Sequence, residues 1–149
     1  MSLDAYPLHR CVIAPRGHPL LRKKRPTLKD IAAHPLIVYD PSFSSGSVVT
    51  GAFEAAGIVP NIVLSAMDAD VIKAYVGAGV GIAVLQKLAY DRARDLDIGA
   101  VGVDHLFPPS NAKLILNPAK YLRRYMFDFI EMVAPLWTPK KVREALIAV

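Results

Sequence analysis

Apolar and polar positions change period repeatedly along this chain, and each change marks an element. Residues 11–14 form an unbroken apolar run into Pro15-Arg16-Gly17-His18-Pro19, the composition of a strand followed by a turn. Thr27 with Asp30 three positions on has the form of a capping box, which predicts a short helix over 27–33 ending before Pro35. Residues 36–39 predict a buried strand, 46–56 a helix stopped by Gly57, and 61–66 a further strand. Asp68 then caps a helix whose Val71, Ile72, Tyr75 and Val76 keep helical spacing. Residues 80–85 are apolar on both faces, as in a strand covered on two sides. A weaker helix is predicted over 87–94, with strands over 98–103 and 112–116. The strongest periodicity covers 121–133, where Leu122, Tyr125, Met126, Phe129, Ile130 and Val133 fall on one helical stripe. Pro135 interrupts it, and Thr138-Pro139 opens a last short helix. Strands alternating with helices at this spacing predict an α/β fold with a mainly parallel sheet flanked by helices.

One connection in this pattern carries chemistry. Between the strand at 36–39 and the next helix lies a hydroxyl-rich loop with Ser42, Ser44, Ser45 and Ser47, Gly46 among them and no charged side chain after Asp40. A helix start offers free backbone N–H groups and a partial positive charge, so hydroxyls placed there form an anion cradle. Open α/β sheets bind ligands beyond the carboxyl ends of their strands, where this loop falls. Ser42, Ser44, Ser45 and Gly46 are therefore the predicted anion-binding residues. Met67 and Asp68, after the following strand, are candidates for the second side of the cleft. Asp68 and Asp70 complement a helix dipole and diverge from one another, so they form no acid–base pair.

Other chemistry finds little support. The four histidines (His9, His18, His34, His105) share no ligand spacing, so no metal is expected, and no cofactor either. There is no nucleophile elbow, and no base is supplied for any serine. Gly77-Ala78-Gly79-Val80-Gly81 leaves a helix and enters a strand, the reverse of a dinucleotide fingerprint, and reads as a left-handed helix stop. A chain of 149 residues that is 53% hydrophobic can bury a real core. It has no uninterrupted apolar run of spanning length, so no membrane is expected. The lone Cys11 fits a reducing, cytoplasmic setting. Net charge is +5, concentrated near residues 16–29 and 140–143, but Pro19 and Pro26 bracket the first group as a solvated loop. Sequence-specific DNA binding by this segment is not expected.

His18-Pro19-Leu20, residues 27–37 (Thr-Leu-Lys-Asp-Ile-Ala-Ala-His-Pro-Leu-Ile) and residues 70–85 (Asp-Val-Ile-Lys-Ala-Tyr-Val-Gly-Ala-Gly-Val-Gly-Ile-Ala-Val-Leu) resemble the effector-binding domain of LysR-type transcriptional regulators. Residues 65–73 (Ser-Ala-Met-Asp-Ala-Asp-Val-Ile-Lys) with 122–135 are most similar to the CysB branch, activators of sulfur assimilation and cysteine synthesis. The resemblance covers residues 10–135. It implies a fold like type 2 periplasmic binding proteins, with two α/β subdomains and an effector in the cleft between them. On that pattern 1–9 is an expression scar and hinge entry, 10–104 effector-binding subdomain II and 105–111 a linker. Residues 112–149 are then the strand and helices that return to subdomain I. The DNA-reading helix-turn-helix domain and most of subdomain I are expected to be missing. Ser44 falls where branch relatives carry a threonine of an anion site. The effector it implies is a small anion (sulfate, thiosulfate or acetylserine), and the protein is a non-enzymatic sensor that forms a homo-oligomer and contacts DNA only through the absent domain. The alternative is a fragment of a solute-binding protein of the same fold.

Overall fold

The structure is a computed structural model, described here for residues 1–147; Ala148 and Val149, the end of the expected C-terminal segment, lie outside the described residues. In chain order the elements are β1 (Ser2–Leu8), β2 (Arg10–Pro15), α1 (Leu28–Ala32), β3 (Leu36–Tyr39), α2 (Ser44–Ala55), β4 (Ile62–Ala66) and α3 (Ala69–Gly77). They continue with β5 (Ile82–Gln86), β6 (Ile98–Gly102), β7 (Ser110–Ile115), α4 (Arg124–Val133) and α5 (Pro139–Ile147). The chain folds as two units, one of residues His9–Pro109 and one of Met1–Leu8 with the residues from Ser110 onward.

The first unit is a five-stranded sheet of order β4-β3-β5-β2-β6. β3 runs parallel to both β4 and β5, whereas β2 is antiparallel to both β5 and β6. The sheet is therefore mixed rather than mainly parallel. The parallel part is the β3-α2-β4-α3-β5 wind, and β2 enters it from the opposite direction. Alternation splits the strands' side chains between two cores. Val12, Ala14, Leu36, Val38, Ile82 and Val84 meet Val49 and Phe53 of α2 on one face. Cys11, Ile13, Ile37, Ala83 and Leu85 meet Ile72 and Val76 of α3 on the other. Burial on both faces is why these strands read as continuous apolar runs.

Local signals set the element ends. Thr27 accepts from the Asp30 N–H at 3.1 Å while the Asp30 carboxylate accepts from the Thr27 N–H at 2.8 Å, the reciprocal box that starts α1. Gly79, at φ +80°, ends α3 with N–H bonds from Gly79 to Val76 O and from Val80 to Tyr75 O. Two expected helix spans of this unit differ. Residues 87–94 form only a 3-10 turn over Lys87–Ala89, because the Asp91 and Asp95 carboxylates accept the N–H groups of Ala93 and Asp91 and compete with helical bonding. α2 starts at Ser44, two residues before Gly46.

In the second unit β1 and β7 pair as an antiparallel ribbon. Residues 2–8, within the 1–9 segment expected to be scar and hinge entry, are instead a strand whose Leu3 is fully buried. Leu3, Leu122, Phe127, Ile130 and Val142 form this unit's core. The Trp137 indole N–H donates to Asp4 O at 3.0 Å, fastening the segment after α4 to β1. The buried face of α4 carries Phe127 and Ile130, so the stripe expected from 121–133 is only partly inward: Tyr125 and Phe129 are exposed. The helix begins at Arg124, three residues later than expected.

Candidate functional site

β3 ends at Tyr39 and hands the chain to a tight loop. The Asp40 carboxylate accepts the Ser42 N–H at 2.9 Å and the Ser42 hydroxyl at 2.6 Å, an Asx turn that holds this carboxyl below its usual range. Phe43 N–H closes the turn on Asp40 O at 3.0 Å, and Asp40 N–H reaches across to Ala66 O at 2.9 Å, joining the carboxyl ends of β3 and β4. α2 begins at once, with Phe43 as its N-cap and no side-chain cap. Its first intrahelical bond runs from Ser47 N–H to Phe43 O. The N–H groups of Ser44, Ser45 and Gly46 therefore stand without helical partners, at the positive end of a helix of 12 residues.

The serines divide by what they touch. Ser42 is held by Asp40, and Ser47 Oγ donates to Ser44 O at 3.1 Å. Ser44 and Ser45 make no side-chain hydrogen bond among the described residues, and Ser44 is exposed. Gly46 is buried for a packing reason: a Cβ there would lie 2.6 Å from both Tyr39 O and Asp40 O. Glycine thus lets the first turn of α2 descend onto the end of β3.

β4 delivers Met67 and Asp68 to the same edge of the sheet. Asp68 is occupied as the N-cap of α3, accepting from Asp70 N–H at 2.8 Å and Val71 N–H at 3.2 Å, while Met67 is exposed. α2 and α3 cover opposite faces, so the loops after β3 and β4 part company at this edge, the topological arrangement at whose strand ends α/β sheets bind ligands. The structure brings Ser44, Ser45, Gly46, Met67 and Asp68 to one edge.

A cleft of about 510 Å³ lies elsewhere, between α3 and residues 94–98. Its α3 cation is already paired, Lys73 with Asp70 at 2.9 Å and with Asp95 at 3.2 Å, so α3 offers an incoming anion no free cation there. The uncapped start of α2 does offer unmet donors, and it is the stronger candidate. Among the described residues no group of three or more His, Cys, Asp or Glu is placed to hold a metal. No helix among them is long and apolar enough to cross a membrane. Two residues that the sequence reading passed over share this edge: Arg10, at the start of β2, and Gln86, at the end of β5, are register partners. A lone arginine opening an apolar strand was the available signal.

Residues 3–137 match the family model described as LysR substrate binding domain. Among curated proteins the chain is 43% identical over 135 residues to the HTH-type transcriptional regulator SsuR of Burkholderia cenocepacia, covering 91% of this chain and 44% of that one. It is 37% identical over 146 residues to the HTH-type transcriptional regulator CysB of the same organism, covering 98% of this chain and 47% of that one. The chain thus spans about half the length of these relatives, which are transcriptional regulators and not enzymes. The crystal structure of the cofactor-binding domain of the Cbl transcriptional regulator superposes with a TM-score of 0.88 at 28% identity, covering 98% of this chain and 64% of that one.

Proposed function

The chain belongs to the LysR substrate-binding-domain family, and from that premise we propose that it is the effector-sensing part of a regulator of sulfur assimilation. Its effector is a small anion (sulfate, thiosulfate or acetylserine) held at the start of α2 by the N–H groups of Ser44, Ser45 and Gly46 and by the Ser44 and Ser45 hydroxyls. The observation that carries this reading is the uncapped first turn of a long helix, beside hydroxyls that no group among the described residues occupies. Likeness to SsuR and CysB supports the regulatory role and the sulfur branch.

In this reading residues 10–104, inside the His9–Pro109 unit, are subdomain II, 105–111 a linker and 112–149 the segment returning to subdomain I. DNA is contacted by a helix-turn-helix domain elsewhere in the full-length cytoplasmic protein, which works as a homo-oligomer. Ligand binding shifts the population between two domain arrangements by its differential affinity for them, and that shift is what DNA binding reads. Binding by this chain alone is weak, because a half-site of N–H and hydroxyl donors lacks those of a companion lobe. Amide-detected NMR during titration with sulfate and with acetylserine tests the reading. Shifts centred on Ser44–Gly46 are expected, and Ser44→Ala weakens the affinity about ten- to a hundredfold, the loss of one hydrogen bond to a charged ligand. Equal perturbations in both proteins would remove Ser44 from the site.

A further inference from the structure

Arg10 is the only charged residue that is buried among the described residues, at 4% exposed. A guanidinium carries five N–H donors and keeps its charge at any working pH, so its burial calls for acceptors and a counter-ion. Here it has one hydrogen bond, from Nη1 to Pro108 O at 3.3 Å, and packs against the Phe107 ring at 5.8 Å. No carboxylate among the described residues forms a salt bridge with its guanidinium, and Asp104 acts on it electrostatically without direct contact. The candidate, Asp104, spends its oxygens otherwise, accepting the Arg10 backbone N–H at 2.7 Å and pairing with His9 Nδ1 at 2.8 Å. Beside it, Gln86 Oε1 is buried with no partner.

Strand alternation places both side chains. Arg10 and Gln86 are opposite one another in the β2–β5 ladder and share the parity of Val12 and Val84, which face α2. They stand at the last rung of the ladder, the edge from which β3 feeds the first turn of α2. The buried cation without a direct ion pair, the orphan amide oxygen and the unmet helix N–H groups thus occupy one face and one edge of the same sheet.

We propose that Arg10 is the cationic anchor of the effector site, where the oxyanion of the ligand (a carboxylate or a sulfate-type group) supplies the direct ion pair that the fold withholds. The inference rests on the reading of this edge as the effector site. Gln86 then completes its bonding with an N–H or O–H of the ligand or of a water carried with it. A lysine at position 10 keeps the charge but loses the fork of parallel donors, so it restores binding only in part.

The test is a titration of the chain with sulfate and with acetylserine while the Arg10 Nε–Hε resonance is followed, together with Ser44–Gly46 amides and the affinities of Arg10→Gln and Arg10→Lys. The resonance is expected to move and saturate with the same midpoint as the amides. Arg10→Gln should weaken binding about tenfold or more, with Arg10→Lys between. If the amides shift while Arg10 Nε–Hε stays fixed, or Arg10→Gln binds as tightly as the parent, the inference is overturned and the reading of α2 stands. If neither probe perturbs either region, both are overturned. Should Arg10→Gln fail to fold, the side-chain resonance of the unaltered protein decides.

Discussion

Ser42 and Ser47 spend their hydroxyls on the turn and the helix that contain them, whereas Ser44 and Ser45 keep theirs free. Hydroxyls at a strand-to-helix junction are legible in a sequence; which of them the backbone consumes depends on turn geometry, and the sequence does not show it. Arg10 escaped for a similar reason: a strand's first residue reads as exposed until Phe107 and Pro108 are folded over it. His18 gives a prediction at this scale. Its Nδ1 accepts the Leu20 N–H at 3.2 Å and its ring meets His34 edge-on at 4.6 Å between centroids, so the fold needs it neutral. Burial first, and then His34, push its pKa below the ordinary 6.5. The unfolded chain then binds more protons than the folded one, so the stabilisation is complete above about pH 6.5 and is lost as the pH falls through the lowered value. Thermal melting should show a lower Tm at pH 5 than at pH 7.5. His18→Asn, which keeps a cap acceptor without titrating, should reduce that difference. An unchanged difference in the variant would assign the pH dependence to another group.

At the scale of elements, the two glycines of α2 are predicted to respond in opposite directions to one substitution. Gly46→Ala drives a methyl to 2.6 Å from the carbonyls of Tyr39 and Asp40, so it must lift the helix start from β3, costing about 1–3 kcal/mol and loosening the anion cradle. Gly51 lies inside the same helix with nothing within 4 Å of its virtual Cβ, and Gly51→Ala should stabilise by about 0.5–1 kcal/mol. Urea denaturation of both variants checks this, and stabilisation by Gly46→Ala would contradict the close approach of α2 to β3. Elements with strong local signals were legible: the capping box, Leu36–Tyr39, the Asp68 cap and the left-handed stop at Gly79 all stand as read. The span 87–94 failed because two aspartates captured backbone N–H groups that a helix would have used. Strand direction was illegible for β2, since an apolar run packed on both faces looks the same whichever way it enters the sheet.

At the scale of the whole molecule, the α/β architecture was readable from alternation, as were β7, α4 and α5 of the second unit, whereas its first strand was not. Residues 2–8 alternate poorly, and their strand identity comes from pairing with β7 more than a hundred positions away. α4 buries Phe127 and Ile130 but leaves Tyr125 64%, Phe129 55% and Met132 78% exposed. A helical face of that composition favours association. The chain is accordingly predicted to dimerise at high concentration, with light scattering on a size-exclusion column reporting about twice its 16.2 kDa. Phe129→Glu should return it to the monomer. A monomer at every concentration would show that this face needs no cover.

The central claim is that the first turn of α2 is an anion site, and selenate, an anomalously scattering mimic of sulfate, tests it most directly. Crystals of this chain soaked in selenate should give an anomalous difference peak within hydrogen-bond distance of the Ser45 and Gly46 N–H groups and the Ser44 hydroxyl. Peaks confined to the basic loop of residues 16–29, with none at the start of α2, would contradict the account.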